Sequence, residues 1–94
     1  MLIRSQNKIS LVKFENIVIN INNINGKEII CWSQMNPGED EYISLGHYST
    51  KEKAMKVLDM IQEAYCKFMS VKNDDAWSGK ESVFYMPEDS EVEI

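Results

Sequence analysis

Ninety-four residues, 44% hydrophobic and 27% charged with four Gly and two Pro, describe one small globular domain and exclude whole-chain disorder. Ten Lys and Arg against fifteen Asp and Glu give a net charge of −5, yet Glu88, Asp89, Glu91 and Glu93 supply most of it. The remaining ten bases and eleven acids leave residues 1–87 almost neutral, which excludes a nonspecific nucleic-acid binder with a basic face as well as a wholesale DNA mimic.

The division that follows is a single domain over residues 1–87 and an acidic C-terminal tail over 88–94, which reads as a solvated, frayed terminus. The start of the chain turns polar after three residues, and apolar runs reach only three or four. Neither a secretory leader nor a membrane span is expected. Cys31 and Cys66 each lie in an apolar segment and read as buried, reduced thiols of a cytoplasmic protein. Without a CxxC pair, and with His47 as the one histidine, no metal or cofactor is expected.

Taken in chain order, residues 2–5 and 9–14 read as short strands around the polar turn Gln6-Asn7-Lys8. Asn25-Gly26 is the preferred pair of a type I′ turn, so residues 17–24 and 27–35 form a hairpin. A two-residue loop sets Ile21 opposite Ile30 and Ile19 opposite Trp32 on one apolar face. The other face then carries Val18, Asn20, Ile29 and Cys31, half apolar and without cover, which suggests association with a second copy.

Asn36-Pro37-Gly38-Glu39-Asp40 is a turn, and residues 41–47 are a further strand. Ser49-Thr50-Lys51-Glu52 reads as a capping box with Ser49 at the N-cap. No Gly or Pro interrupts the chain from there to about Ser70. Ala54, Val57, Leu58, Ile61, Ala64, Tyr65, Phe68 and Met69 fall within an arc of roughly 140°, with Met60 on the polar side. Residues 71–81 read as a loop and 82–86 as a last strand closed by Pro87. The expected fold is α+β, in the order β-β-β-β-α-β. An antiparallel sheet of about five strands carries one long amphipathic helix on one face.

Catalytic patterns are missing: no GxGxxG, P-loop, HExxH or GxSxG occurs. His47 is the one plausible neutral-pH base, and its plain reading is a hydrogen-bonded structural residue. The acid pairs Asp74-Asp75 and Glu39-Asp40 read as solvated turn residues. Binding features are better represented. Arg4 is the one guanidinium, hence the one bidentate fork for phosphate or carboxylate. His47, Tyr48, Ser49 and Thr50 bracket a helix N-terminus, whose free amides favour an anion. Trp77, in a polar loop, is either a plug over the core or a stacking platform. Arg4, His47, Tyr48, Ser49, Thr50 and Trp77 are therefore the candidate ligand-binding residues for a small anionic, ring-bearing ligand.

Ile3-Arg4-Ser5-Gln6, Leu11-Val12, the run Leu45-Gly46-His47-Tyr48-Ser49-Thr50-Lys51-Glu52-Lys53-Ala54 and Val57-Leu58-Asp59-Met60-Ile61 together carry a resemblance. The pattern resembles short proteins, without an assigned activity, of bacteriophages and mobile elements of low-GC bacteria; it covers about a third of the chain. The resemblance implies a setting rather than a site: such accessory proteins are often binders or inhibitors, including sponges for nucleotide immune signals. The expectation is thus a non-catalytic, homo-oligomeric counter-defence binding protein that sequesters a small nucleotide signal in the host cytoplasm. The alternative is a protein–protein inhibitor or adaptor acting on a host protein through the open sheet face or the acidic tail.

Overall fold

The computed structural model describes residues 1–33, 42–71 and 83–93. Trp77, the turn at 36–40, the acid pairs and most of the loop at 71–81 lie outside the described residues. The α+β class holds, but the single sheet does not. Among the described residues there are two three-stranded sheets and one α-helix: β1 (Leu2–Arg4), β2 (Leu11–Lys13), β3 (Ile17–Ile21), β4 (Glu28–Ser33), β5 (Ile43–His47), α1 (Lys51–Val71) and β6 (Val83–Tyr85). One sheet has the order β2-β1-β6 and the other β3-β4-β5. β1 and β6 run parallel, so the pairing is not wholly antiparallel.

The break between the sheets has a local cause. After β2 the chain enters a 3-10 turn at Phe14–Asn16, which takes Phe14 out of the strand expected over 9–14. Glu15 in that turn lies 2.8 Å from the Met1 ammonium. Gln6 supplies the seam: its amide donates to Leu45 O at 2.7 Å, next to a bulge in the β4–β5 ladder. The Gln6-Asn7-Lys8 turn forms as expected, with Lys8 at φ 70 and Ser5 buried but bonded to Asn7 and Ser10.

The hairpin forms, but its register is shifted by one residue. Ile19 faces Cys31 and Ile21 faces Ile29. A type I′ turn needs positive φ at both central residues, and of the pair Asn25-Gly26 only Gly26 has it, at 69°. The asparagine side chains supply the alternative. Asn22 Oδ1 accepts from the Ile24 amide, Asn25 Oδ1 accepts from the Lys27 and Glu28 amides, and the Gly26 amide donates to Asn22 O. One extra loop residue turns β4 over. Ile29 and Cys31, expected on the uncovered face, are fully buried core residues, whereas Ile30 and Trp32 lie on the opposite face, half-buried. The face on which self-association was expected to rest therefore does not exist in that form. Burial pushes the Cys31 thiol up to about 11, while Cys66 is exposed, not buried.

The helix packs as its periodicity predicts through Ala54, Val57, Ile61 and Phe68, with Leu58, Ala64 and Tyr65 partly buried. Met69 is exposed and Met60, assigned to the polar side, packs on the core edge. Its N-cap is Thr50, one residue later than expected: Thr50 Oγ1 accepts the Lys53 amide at 3.1 Å. The core gathers Met1, Ile3, Leu45, Tyr48, Met86 and Val92 around this face. Val92 corrects the reading of the tail. Val92 is buried and Asp89 half-buried, with a 3-10 turn at Asp89–Glu91 closed by reciprocal Glu88–Glu91 caps, while Glu88, Ser90, Glu91 and Glu93 stay exposed. No described helix is long and apolar enough to cross a membrane.

Candidate functional site

The strand-to-helix junction is built by three segments. Gly46 brings the backbone against the Tyr48 ring, where an added Cβ would sit 3.1 Å from the hydroxyl. The Tyr48 hydroxyl, buried there, donates to Pro87 O at 2.8 Å. Gln6 clasps the same segments: its Oε1 accepts the His47 amide, and its Nε2 donates to His47 O and Pro87 O. This geometry fixes residues 87–89 over the start of α1.

Asp89 then occupies the place that an external anion would take. Its Oδ1 accepts the Ser49 amide at 2.7 Å, and its Oδ2 lies 3.5 Å from Lys53 Nζ. The Ser49 amide, aided by Lys53 and opposed by desolvation, holds the Asp89 carboxyl below its ordinary value. Lys53 also donates to Asp89 O, and Lys56 to Glu93 O. Burial, with the charges of Glu88, Asp89 and Glu91, pushes the Tyr48 phenol upward, so it remains a neutral donor. One donor of the expected anion cradle, the Ser49 amide, is thus taken by the chain's own tail.

Arg4 does not join this cradle. Its Nε and Nη2 both donate to Lys8 O, at 3.1 and 3.0 Å, on the outer side of β1. Of the six candidate residues, His47, Tyr48, Ser49 and Thr50 are contiguous at the junction, Arg4 points elsewhere, and Trp77 is outside the described residues.

His47 has a partner that its sequence position did not reveal. Its Nε2 lies 3.1 Å from Glu28 Oε2, directly across the β4–β5 ladder, with the imidazole 66% exposed. Asn22 Nδ2 donates to the other Glu28 oxygen, and Ser44 also hydrogen-bonds the carboxylate. Desolvation disfavours the Glu28 charge, but Asn22, Ser44 and His47 together outweigh it and keep the carboxyl below 4.5. The order of groups matters chemically. A hydrolytic triad places imidazole between hydroxyl and carboxylate, whereas here the carboxylate is in the middle. Ser44 and His47 thus both address the Glu28 carboxylate, which is not the order of that triad. Because folding lowers the Glu28 pKa, this cluster's contribution is full above about 4.5 and lost as pH falls through the folded value. Glu28→Gln is expected to flatten the acid limb of stability below pH 4.5, as read by urea denaturation at several pH values.

A surface that sequence reading missed lies on the far side of the β2-β1-β6 sheet. Ile3 points into the core, so Leu2 and Arg4 point out. Register places Leu11 and Tyr85 on either side of Arg4, and Lys13 and Val83 on either side of Leu2. Leu11 is 55% and Tyr85 60% exposed, and the nearby Ile9 is 84% exposed. The alternation of Met1, Ile3 and Ser5 with Leu2 and Arg4 was a usable signal for part of this face. The parallel pairing with residues 83–85 left none. No family model matches the chain, and neither a curated protein nor a solved structure matches it.

Proposed function

We propose that this is a non-catalytic binding protein of the phage-accessory kind, acting as an inhibitor or adaptor on a protein partner. The carrying observation is the Asp89 carboxylate on the Ser49 amide. It takes the Ser49 amide, one donor that a small anionic ligand at this junction would use, while the Tyr48 hydroxyl donates to Pro87 O. A nucleotide phosphate at this junction would compete with the Asp89 carboxylate for the Ser49 amide. Arg4, the intended phosphate fork, lies on a different surface with exposed apolar side chains around it. The reversed order of Ser44, Glu28 and His47 supports a binding role over hydrolysis.

Native mass spectrometry of the protein purified from its expression host tests this reading. The expected spectrum has no stoichiometric small-molecule mass on any species. A stoichiometric adduct in the nucleotide range would overturn it in favour of signal sequestration.

A further inference from the structure

We propose that the outer face of the β2-β1-β6 sheet docks a protein segment that combines carboxylates with apolar side chains. The proposal rests on the protein-binding reading and gives that partner a place and a chemistry. Six in-register residues define the face: Leu2, Arg4, Leu11, Lys13, Val83 and Tyr85. Four are apolar or aromatic, two are cationic and none is acidic. This stands against a chain whose net charge is −5. The carboxylate whose charge reaches Lys13 is Glu15, and it is already paired with the Met1 ammonium. Among the described residues Arg4 is held by Lys8 O through Nε and Nη2, and its Nη1 makes no bond there. The guanidinium is thus braced rather than neutralised, and it stands between Leu11 and Tyr85.

The chemistry discriminates among occupants. An isologous contact between two copies of this face would bring the cations of both copies into one interface with no carboxylate from either face, which disfavours self-association here. A nucleic acid would gain only two phosphate contacts from these cations, against long-range repulsion by an acidic chain. A peptide or protein surface bearing Asp or Glu beside Leu, Phe or Tyr satisfies both the cations and the exposed apolar area. With strands about 4.8 Å apart, the face spans about 10 Å across, room for one extended segment or one helix face.

Selection of a displayed random peptide library against the intact protein tests this directly. The enriched peptides are expected to carry at least one Asp or Glu next to aromatic or aliphatic residues. Their affinity should fall about tenfold or more in the double variant Arg4→Glu, Lys13→Glu, and similarly in Tyr85→Ala. Both sets change exposed side chains, and an unchanged urea midpoint verifies that the fold is kept. Enriched peptides indifferent to these substitutions would overturn the surface while leaving a protein-binding role standing. Basic peptides, or no enrichment, would overturn the proposed partner chemistry. A nucleotide adduct in the mass spectrum would remove the underlying reading as well.

Discussion

Ile29→Ala is expected to cost about 3 kcal/mol, within the range for truncating a fully buried Ile. With a urea slope of about 1.5 kcal/mol per M, the midpoint falls by about 2 M. Ile30→Ala, one residue on and only half-buried, is expected to cost about 1 kcal/mol or less. The contrast follows from the shifted hairpin register, which puts Ile29 and Cys31 against α1 and turns Ile30 and Trp32 away. A two-residue turn at Asn25-Gly26 would reverse the order of the two effects, so the pair of variants reads out the register itself. Equal losses would contradict the described ladder.

Deletion of residues 88–94 is the second large effect. Loss of the buried Val92 side chain alone removes about 2 kcal/mol. The Ser49 amide loses the Asp89 carboxylate in the same step, and Lys53 and Lys56 lose their tail acceptors. Hydrogen exchange of the Ser49 amide and the first turn of α1 should accelerate, while the ladder of β3 with β4 keeps its protection. A truncated chain as stable as the full one, with unchanged exchange at Ser49, would mean that the tail is the solvated terminus its composition suggests. Peptide binding at the sheet face should survive the deletion once allowance is made for the unfolded fraction, because none of its six residues contacts the tail in the hydrogen-bond network described.

What the sequence made legible was local. The period of Ala54, Val57, Ile61 and Phe68 identified α1 and its buried face, and the polar turn at Gln6-Asn7-Lys8 was readable from composition. Boundaries slipped where two neighbouring side chains offer the same service: Ser49 and Thr50 are both good caps, and it is Thr50 Oγ1 that accepts the Lys53 amide. The hairpin's existence was readable but its register was not. Asn22 and Asn25 compete, through their own side-chain acceptors, with the tight turn that Asn25-Gly26 favours.

The remainder depended on contacts remote in sequence. Gln6 meets His47 across 41 positions and Pro87 across 81, and Asp89 meets Ser49 across 40. No periodicity reports such pairs. The junction at Tyr48, Ser49 and Thr50 does lead into the helix, and there the Ser49 amide donates to the chain's own Asp89 carboxylate. Arg4 was singled out for its chemistry, and only the pairing of β1 with both β2 and β6 gives it Leu11 and Tyr85 as neighbours.

The most direct test of the account is to map a selected peptide onto the isotopically labelled protein by amide NMR shifts. The account predicts perturbations concentrated at residues 2–4, 11–13 and 83–85, with residues 48–50 and 89 unmoved. Perturbations centred on Tyr48, Ser49, Thr50 and Asp89 instead would contradict it and return the function to the helix N-terminus.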